Sequence, residues 1–363
     1  MDLSFLVPSR PFPVGGVLAM YEYAHALLDL GHRVRLVHVD GFGVSPTPPE
    51  ELAHLVTFDP RLDHEVIDGF TGELNGADAV FCFDERIPTD ALPLMWVQSA
   101  GILAWEQEHA IYAARCPKLC GSSWLRHVAH TLGNPAEMLV TALPGLDHER
   151  FRHERPLDDR PRRALMAYGA HPAKGAVAGI RALRQVRREI PDFEATLFGT
   201  SDPPAELPAW ITYLRDPPQP TRAGIYNGHR CFVISSLTEG FGMTGIEAQS
   251  CGTPLVASAN GGSADYANAD IDALVAPPGD VEALATQIIR ALTDDDLAQR
   301  LSDTGRETAR RFTWAKSALE IDDLLRRYAS DPDAFRQPVA VPENPTAAGY
   351  SIARMRQDFY AAR

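Results

Sequence analysis

The chain has 363 residues, of which 45% are hydrophobic and 23% charged, a composition typical of folded soluble proteins. Its formal net charge of -14 at pH 7 argues against nucleic acid or anionic lipid as a partner, because both require a basic surface. No apolar run approaches the ~20 residues of a membrane-spanning helix, and no signal-peptide pattern opens the chain. We expect a cytoplasmic protein without nucleic-acid partners, and membrane association is not indicated.

The first part of the chain predicts alternating strands and helices. A strand over residues 3–7 is followed by a loop with two glycines, a helix over residues 17–30 and a strand over residues 34–39. Further apolar runs lie at residues 79–83, 94–97, 118–121 and 138–141. Because helical patterns separate these short runs, a parallel sheet is the simplest interpretation.

A second series of apolar runs repeats this alternation. The runs lie at residues 164–167, 195–198, 211–214, 231–234, 254–257 and 273–275. A charged, proline-bearing stretch separates the two series, and we place the linker at residues 151–163. The pattern predicts an α/β protein with one Rossmann-like domain at residues 1–150, another at 164–330, and a tail or helix at 331–363.

The cysteines and the acidic run of the chain do not indicate a metal site. The five cysteines lie in apolar segments, where buried reduced thiols are expected: Cys82, Cys116, Cys120, Cys231 and Cys251. Cys116 and Cys120 form a close pair, but neither a second pair nor a histidine cluster completes a zinc set. The acidic run at residues 294–296 precedes a helical pattern, and we interpret it as a helix cap.

Two glutamates, Glu239 and Glu247, stand eight residues apart across a glycine-rich turn between a predicted strand and a predicted helix. Gly240 and Gly242 let the backbone approach a ligand closely, and the helix start presents unpaired amide groups. A carboxylate accepts hydrogen bonds from the vicinal hydroxyls of a hexose or ribose, while a helix start favours the charge of a diphosphate. The segment therefore indicates an activated sugar as the ligand.

Residues 239–247 resemble the Glu-x7-Glu signature of the family 4 retaining glycosyltransferases, which have the GT-B fold. The resemblance includes the interior Gly-Phe-Gly, continues to Ser258, and extends more weakly over residues 3–328. It implies two Rossmann-like domains whose parallel sheets face each other across a cleft, the first for the acceptor and the second for the donor. It also implies that residues 331–363 return to the N-terminal domain, with a flexible tail as the alternative.

The resemblance implies roles for residues of the second domain. The implied contacts are Glu239 and the amides of Phe241, Gly242 and Met243 for the sugar, Glu247 for the ribose, Thr244 and Gly245 for the diphosphate, and Tyr213 and Leu214 for the base. Lys174 lies in the loop after that domain's first strand, just before a helix. A helix start disfavours a cation unless an anion compensates, so we predict that Lys174 stabilises the departing phosphates.

In the first domain, the loop over residues 11–16 follows the first strand and opens a helix. Its glycines, Gly15 and Gly16, resemble the family's glycine-rich loop that contacts the donor diphosphate. A tight turn without a ligand is the alternative interpretation.

Two positions depart from the family's pattern. The family usually has an arginine six residues before the lysine, where this chain has Tyr168. Either another cation completes the phosphate clamp, with Arg10, Arg163 and Arg222 as candidates, or the leaving group is handled differently. The family also commonly has a histidine where this chain has Gln98. His109, on the following helical stretch, is the nearest substitute and a third catalytic candidate beside Lys174 and Glu239.

We therefore predict a retaining glycosyltransferase that moves a sugar from a UDP, dTDP or GDP sugar to a hydroxyl or amine of a small-molecule, glycan or lipid acceptor. No cofactor or metal is expected, because protein cations and dipoles can stabilise the leaving group. One alternative is another GT-B enzyme, such as a nucleotide-sugar epimerase or a phosphorylase. The other is a non-catalytic nucleotide-sugar binder, which the departures at Tyr168 and Gln98 would suit. The base, the sugar and the acceptor stay open.

Overall fold

The computed structural model describes residues 1–9, 15–40, 45–52, 58–68, 74, 76–83, 91–335, 339, 341–343 and 351–363. The chain divides into two units, the first formed by Met1–Gly145 with Trp314–Arg363 and the second by Leu146–Thr313.

The helices and strands alternate along most of the described chain. The strands are β1 (Asp2–Pro8), β2 (Arg33–Val39), β3 (Asp63–Ile67), β4 (Ala79–Cys82), β5 (Leu92–Val97), β6 (Lys118–Cys120), β7 (Leu139–Thr141), β8 (Arg163–Ala167), β9 (Glu194–Gly199), β10 (Ile211–Arg215), β11 (Cys231–Ile234), β12 (Leu255–Ser258) and β13 (Ala273–Ala276). The helices are α1 (Gly15–Asp29), α2 (Pro49–Leu52), α3 (Trp105–Ala113), α4 (Ser123–Thr131), α5 (Ala176–Glu189), α6 (Arg222–Asn227), α7 (Met243–Ser250), α8 (Val281–Thr293), α9 (Asp295–Ala309), α10 (Trp314–Ser330) and α11 (Ile352–Ala361).

The first unit contains a parallel sheet with the strand order β3-β2-β1-β4-β5-β6-β7. The central strands are buried because apolar side chains occupy both faces, and the rings of Phe5 and Phe81 stack with centroids 4.0 Å apart. The strand order changes direction between β1 and β4. In open α/β sheets, such a switch point lies beside the place where ligands bind, outside the carboxyl ends of the strands.

The second unit contains a parallel sheet with the strand order β10-β9-β8-β11-β12-β13, which changes direction between β8 and β11. Helices α5 and α8 cover the sheet, and Leu183, Val186, Leu284 and Ile288 pack into a core that includes Val233 of β11. Full burial of each such side chain contributes about 1.5–3 kcal/mol, so this apolar layer fixes the ends of the strands where the site residues begin.

Helices α10 and α11 belong to the first unit. Trp314 at the start of α10 packs edge-on against Tyr23 of α1, with ring centroids 4.9 Å apart, and the Tyr23 hydroxyl donates a 2.7 Å hydrogen bond to Ala142 O. Helix α11 lies on α4, where Phe359 contacts Trp124 and His127 with centroid distances of 5.5 and 5.3 Å.

The predicted fold class, two Rossmann-like units with parallel sheets, is confirmed. The sequence analysis does not predict β3, because this edge strand is partly exposed and carries charged residues at alternate positions. The division into units also differs from the predicted boundaries. Helix α10 lies within residues 164–330, the predicted second domain, but belongs to the first unit. Residues 151–163, the predicted linker, are part of the second unit.

Candidate functional site

The segment between β11 and α7 forms the centre of the candidate site. It leaves the buried strand beside the switch point and reaches α7 through Gly242, whose φ of +84° lies in the left-handed region that favours glycine. Gly242 is also the N-cap of α7, so no capping side chain covers the amides of the first turn. The helix start can therefore accept an anion.

Lys174 and Glu239 form an ion pair at this site. Lys174 Nζ lies 2.8 and 2.9 Å from the two carboxylate oxygens of Glu239, and Ser236 Oγ donates a 2.6 Å hydrogen bond to Oε1. The Lys174 side chain is 41% exposed, whereas that of Glu239 is 11% exposed. The structure thus brings two predicted catalytic residues together, with the cation more open to a ligand than the carboxylate.

Backbone contacts explain how Lys174 reaches Glu239. Leu237 N donates to Ala173 O at 2.7 Å, which ties the loop before α5 to the loop after β11. Gly175 has a φ of +60°, and a Cβ at this position would lie 2.0 Å from Ser235 O. A larger residue would separate the two loops, so Gly175 is required for the ion pair.

The loop after β12 holds Glu239 in place through backbone contacts. Glu239 N donates to Asn260 O at 3.1 Å, and Glu239 pairs with Gly261 in an isolated bridge. A Cβ on Gly262 would lie 2.7 Å from backbone atoms of Gly240 and Phe241, so the two loops are in direct backbone contact. The position of the Glu239 carboxylate is therefore set by three loops of the same unit.

Tyr266 braces the start of α7, a contact that the sequence analysis misses. Its hydroxyl donates to Gly242 O at 2.6 Å and lies 3.1 Å from Phe241 O. Its ring fills the space beside Gly245, where an added Cβ would lie 2.4 Å from Cε2. These contacts hold the carbonyls of the turn on the side of Tyr266. The pairing of a small residue at 245 with a distant tyrosine has no local sequence signal.

Glu247 lies on α7 and is only 7% exposed. Its Oε2 accepts a 2.7 Å hydrogen bond from the Tyr226 hydroxyl. Burial raises the pKa of the Glu247 carboxyl, while the bond from Tyr226 and the charges of Arg222 and Arg150 act in the opposite direction. The carboxylate is thus held inside the unit, close to the helix start.

Tyr213 and Leu214, predicted beside the base, lie half-buried on the edge strand β10. The Tyr213 hydroxyl donates to Gly199 O at 3.0 Å and also contacts Ser201 O. Burial raises the pKa of this phenol. Tyr168 packs edge-on against Tyr213, with ring centroids 5.6 Å apart. Tyr168, the departure from the family pattern, thus joins the aromatic pair at this end of the sheet.

The candidate replacements for the missing arginine differ in position. Arg163 is the first residue of β8, at the opposite end of the strand from the Lys174 loop, so it is not a clamp residue. Arg222, the first residue of α6, donates to Pro217 O at 3.2 Å, and its charge acts to lower the pKa of Glu247. Arg10 lies outside the described residues.

In the first unit, Gly15 and Gly16 begin α1, and the side chain of Gln98 fills the space beside Gly16. A Cβ on Gly16 would lie 2.0 Å from Gln98 Oε1, so the glycine is needed for this contact. The structure brings together the glycine loop's end and the residue that replaces the usual histidine. The preceding residues 11–14 of the predicted loop lie outside the described part of the chain.

His109 contacts the C-terminal segment instead of the loop that carries Gln98. His109 Nε2 lies 3.3 Å from Val341 O, and Trp105 Nε1 donates to Glu343 O at 2.6 Å. The sequence analysis misses Glu108, whose buried carboxylate accepts from the amides of the loop after β5: Gly101 at 2.9 Å, Ile102 at 3.0 Å and Leu103 at 3.2 Å. Glu108, rather than His109, orders this loop.

The described residues contain no group of three or more His, Cys, Asp or Glu side chains that could hold a metal ion. Asp294 caps α9 by accepting from Leu297 N at 2.9 Å, as the sequence analysis predicts, and all five cysteines are buried and unbridged. Within the described ranges, no helix has both the length and the apolar character to span a membrane.

Comparisons with solved structures define the fold. The chain superposes on sucrose-phosphate synthase from Thermosynechococcus elongatus with a TM-score of 0.73 and 19% identity, covering 91% of this chain and 99% of the synthase. It superposes on Anabaena Alr3699/HepE in complex with UDP-glucose with a TM-score of 0.71 and 16% identity, covering 90% of this chain and 100% of that protein. The fold is therefore GT-B, as the resemblance predicts.

Sequence comparisons relate the second unit to known glycosyltransferases. Residues 147–308 match the model described as glycosyl transferases group 1. A 105-residue segment is 38% identical to the O-antigen chain mannosyltransferase B of Escherichia coli, covering 29% of this chain and 27% of that protein. A 225-residue alignment is 29% identical to the D-inositol 3-phosphate glycosyltransferase of Saccharomonospora viridis, covering 54% of this chain and 51% of that protein. The second unit thus matches the group 1 glycosyl transferase family, and the alignments span about a quarter to about half of these relatives' lengths.

Proposed function

We propose that this chain is a retaining glycosyltransferase that takes its sugar from a nucleoside diphosphate sugar. The observation that supports this most is the Lys174–Glu239 ion pair beside the uncapped start of α7. A cation and unpaired amides would bind a diphosphate, and a carboxylate would accept hydrogen bonds from sugar hydroxyls. The UDP-glucose held by the structurally similar HepE supports UDP as the first nucleotide to test.

In the free protein, Lys174 and Glu239 neutralise each other. Binding of a diphosphate would give Lys174 a stronger anionic partner and leave the Glu239 carboxylate to the sugar hydroxyls. As the bond between the anomeric carbon and the phosphate oxygen breaks, negative charge grows on the phosphate, and Lys174 with the amides of residues 243 and 244 would stabilise it. Attack by the acceptor from the face that the phosphate leaves retains the anomeric configuration and needs no enzyme nucleophile.

The nucleoside would lie along the same unit. Glu247 would accept hydrogen bonds from the ribose hydroxyls, and Tyr213 and Leu214 would contact the base. The diphosphate contacts of Gly15 and Gly16 and a catalytic role of His109 stay predictions. The acceptor would supply a hydroxyl or amine, and no metal or cofactor is required in this proposal.

The first prediction concerns nucleotide binding. We expect one of UDP, dTDP, GDP and ADP to raise the melting temperature, because a ligand at a hundred times its Kd adds about 2.7 kcal/mol of stability. Lys174→Met and Glu247→Ala should abolish the shift. Lys316→Met, a change of an exposed lysine on α10, is the matched control and should keep it. A shift that survives in both site variants would refute these roles.

A turnover assay separates the enzyme from the alternatives. UDP-glucose, GDP-mannose and dTDP-rhamnose are incubated with candidate acceptors, and nucleotide release and the product's anomeric configuration are measured by NMR. Transfer with retained configuration supports the proposal. Inverted product contradicts the retaining mechanism, donor isomerisation without acceptor indicates an epimerase, and binding without turnover of any donor indicates a non-catalytic binder.

A further inference from the structure

Tyr226 on α6 holds the Glu247 carboxylate through a buried hydrogen bond. Its side chain is 1% exposed, and its hydroxyl lies 2.7 Å from Glu247 Oε2. Its ring is enclosed by three phenylalanines in edge-on contact, with centroid distances of 6.2 Å to Phe151, 5.9 Å to Phe198 and 5.3 Å to Phe232. The ring therefore has one accessible position, and its hydroxyl is directed at the carboxylate.

The backbones that carry the two residues are tied to each other. Tyr226 O accepts from Thr253 Oγ1 at 3.0 Å, which joins the end of α6 to the loop after α7. Arg160 spans the same two elements, because its guanidinium donates to Thr253 Oγ1 at 2.8 Å, to Cys251 O at 2.8 Å and to Asn227 Oδ1 at 3.2 Å. The distance between the phenol and the carboxylate is thus fixed from both sides.

The charged groups that face Glu247 come from several elements. Arg222 lies on α6 and Arg150 in the segment before β8, and both favour the ionised carboxylate. At the C-cap of α7, the Cys251 thiol stays protonated because burial, with the Glu247 charge, raises its pKa. Tyr226 differs from these groups because the structure shows a hydrogen bond from its hydroxyl to the Glu247 carboxylate.

We propose that Tyr226 is a positioning residue for nucleotide binding: it fixes the orientation of Glu247 and keeps its carboxylate in the acceptor form that nucleoside hydroxyls require. This inference rests on the proposed function, which assigns the ribose to Glu247. With Oε2 engaged by the phenol, the carboxylate presents one orientation to the ligand. Loss of the hydroxyl removes a donor from the ionised form and so moves the protonation of Glu247 to higher pH.

The second prediction tests this role with Tyr226→Phe, which keeps the ring. The Kd of UDP, or of whichever of dTDP, GDP and ADP binds best, is measured by calorimetry across the acid range. Because the hydrogen bond from Tyr226 stabilises the ionised carboxylate, we expect binding about tenfold weaker near pH 6 and a smaller loss near pH 8. A loss that is equal at every pH would contradict the inference, since a merely structural defect has that result.

Tyr23→Phe is the matched control, because it also removes a buried hydroxyl, one that donates to Ala142 O in the first unit. It should lower stability to a similar extent without moving the pH profile of binding. A shifted profile in this control would overturn the assignment to Tyr226.

A second measurement does not need a ligand. In protein labelled with 13C at the glutamate carboxyls, the Glu247 signal is the one absent from Glu247→Gln, and its titration midpoint should be higher in Tyr226→Phe than in the wild type. If Tyr226→Phe does not fold, global 3-fluorotyrosine, a stronger donor, should lower the midpoint. An unmoved midpoint refutes the inference even if nucleotides bind, whereas a moved midpoint without any nucleotide binding refutes the proposed function alone.

Discussion

At the residue scale, the buried cation Arg160 shows how oxygen acceptors can replace a carboxylate partner. Its side chain is 3% exposed, and the acceptors that the structure shows for it are uncharged: carbonyls, the Thr253 hydroxyl, the Asn227 amide and a histidine ring nitrogen. Burial lowers the pKa of the Arg160 guanidinium to about 10. Its planar guanidinium has five donors in a fixed geometry and so satisfies more acceptors than the three donors of a lysine ammonium can.

The third prediction is that Arg160→Met destabilises the second unit by about 2–4 kcal/mol, because several buried acceptors lose their donor. Arg160→Lys should not restore the loss. Urea denaturation followed by fluorescence measures both variants. Arg162→Met is the control, since Arg162 pairs with the exposed Asp295 and such surface pairs contribute only ~0–1 kcal/mol. Equal losses at positions 160 and 162 would contradict this account.

At the scale of elements, the start of α7 depends on a distant helix-like turn as well as on its own glycines. Tyr266 follows the short 3-10 turn Gly262–Asp265 and donates to Gly242 O, the carbonyl that also accepts from Gly245 N at 2.9 Å. Gly245 is buried because the Tyr266 ring takes the place of its side chain. The helix start is therefore shaped by packing between α7 and the segment after β12.

The fourth prediction is that Gly245→Ala costs about 1–3 kcal/mol of stability, because its Cβ meets the Tyr266 ring in a filled core. In a Tyr266→Val background, the same change should cost much less, with a coupling energy of about 1 kcal/mol or more. Chemical denaturation of the four proteins of this cycle measures the coupling. Additive losses would show that the two residues do not compete for the same space.

At the scale of the whole molecule, each unit contains a buried neutral histidine. Burial lowers the pKa of His229 to about 4 and that of His38 to about 4. His229 bridges Ile225 O at 2.7 Å and Thr196 Oγ1 at 2.8 Å, and His38 lies 3.1 Å from His64 Nδ1. At acidic pH both rings bind a proton in the unfolded chain but stay neutral in the folded protein. Acid therefore favours the unfolded state of both units.

The fifth prediction gives the pH window. A depressed folded pKa contributes stability that is present above the unfolded value of 6.5 and is lost as the pH falls toward about 4. We expect each histidine to account for up to about 3 kcal/mol of acid destabilisation in this range. His229→Asn should flatten the dependence of the unfolding free energy on pH. An unchanged slope would mean that His229 is not kept neutral by the fold.

Much of the fold could be predicted because parallel strands buried on both faces are continuous apolar runs. The run at β11 and the glycines after it are local features, so the position of Glu239 at the carboxyl end of a strand follows from sequence alone. The edge strand β3 lacks such a run, since one side of it has no neighbouring strand and charged residues are tolerated. Helix α10 has the predicted helical pattern, but its partner in the first unit is decided by contacts with Tyr23, far away in the chain.

The sequence by itself determined the class of fold, the acidic pair and the lysine, because spacing across a strand, turn and helix is encoded within a few consecutive residues. Only the tertiary structure decided which side chains meet. The contact of Lys174 with Glu239, of Tyr226 with Glu247 and of Tyr266 with Gly245 joins segments 65, 21 and 21 residues apart in the chain. Such pairs are selected by the packing of buried groups and the need to satisfy each polar atom, and neither condition is visible in a local pattern.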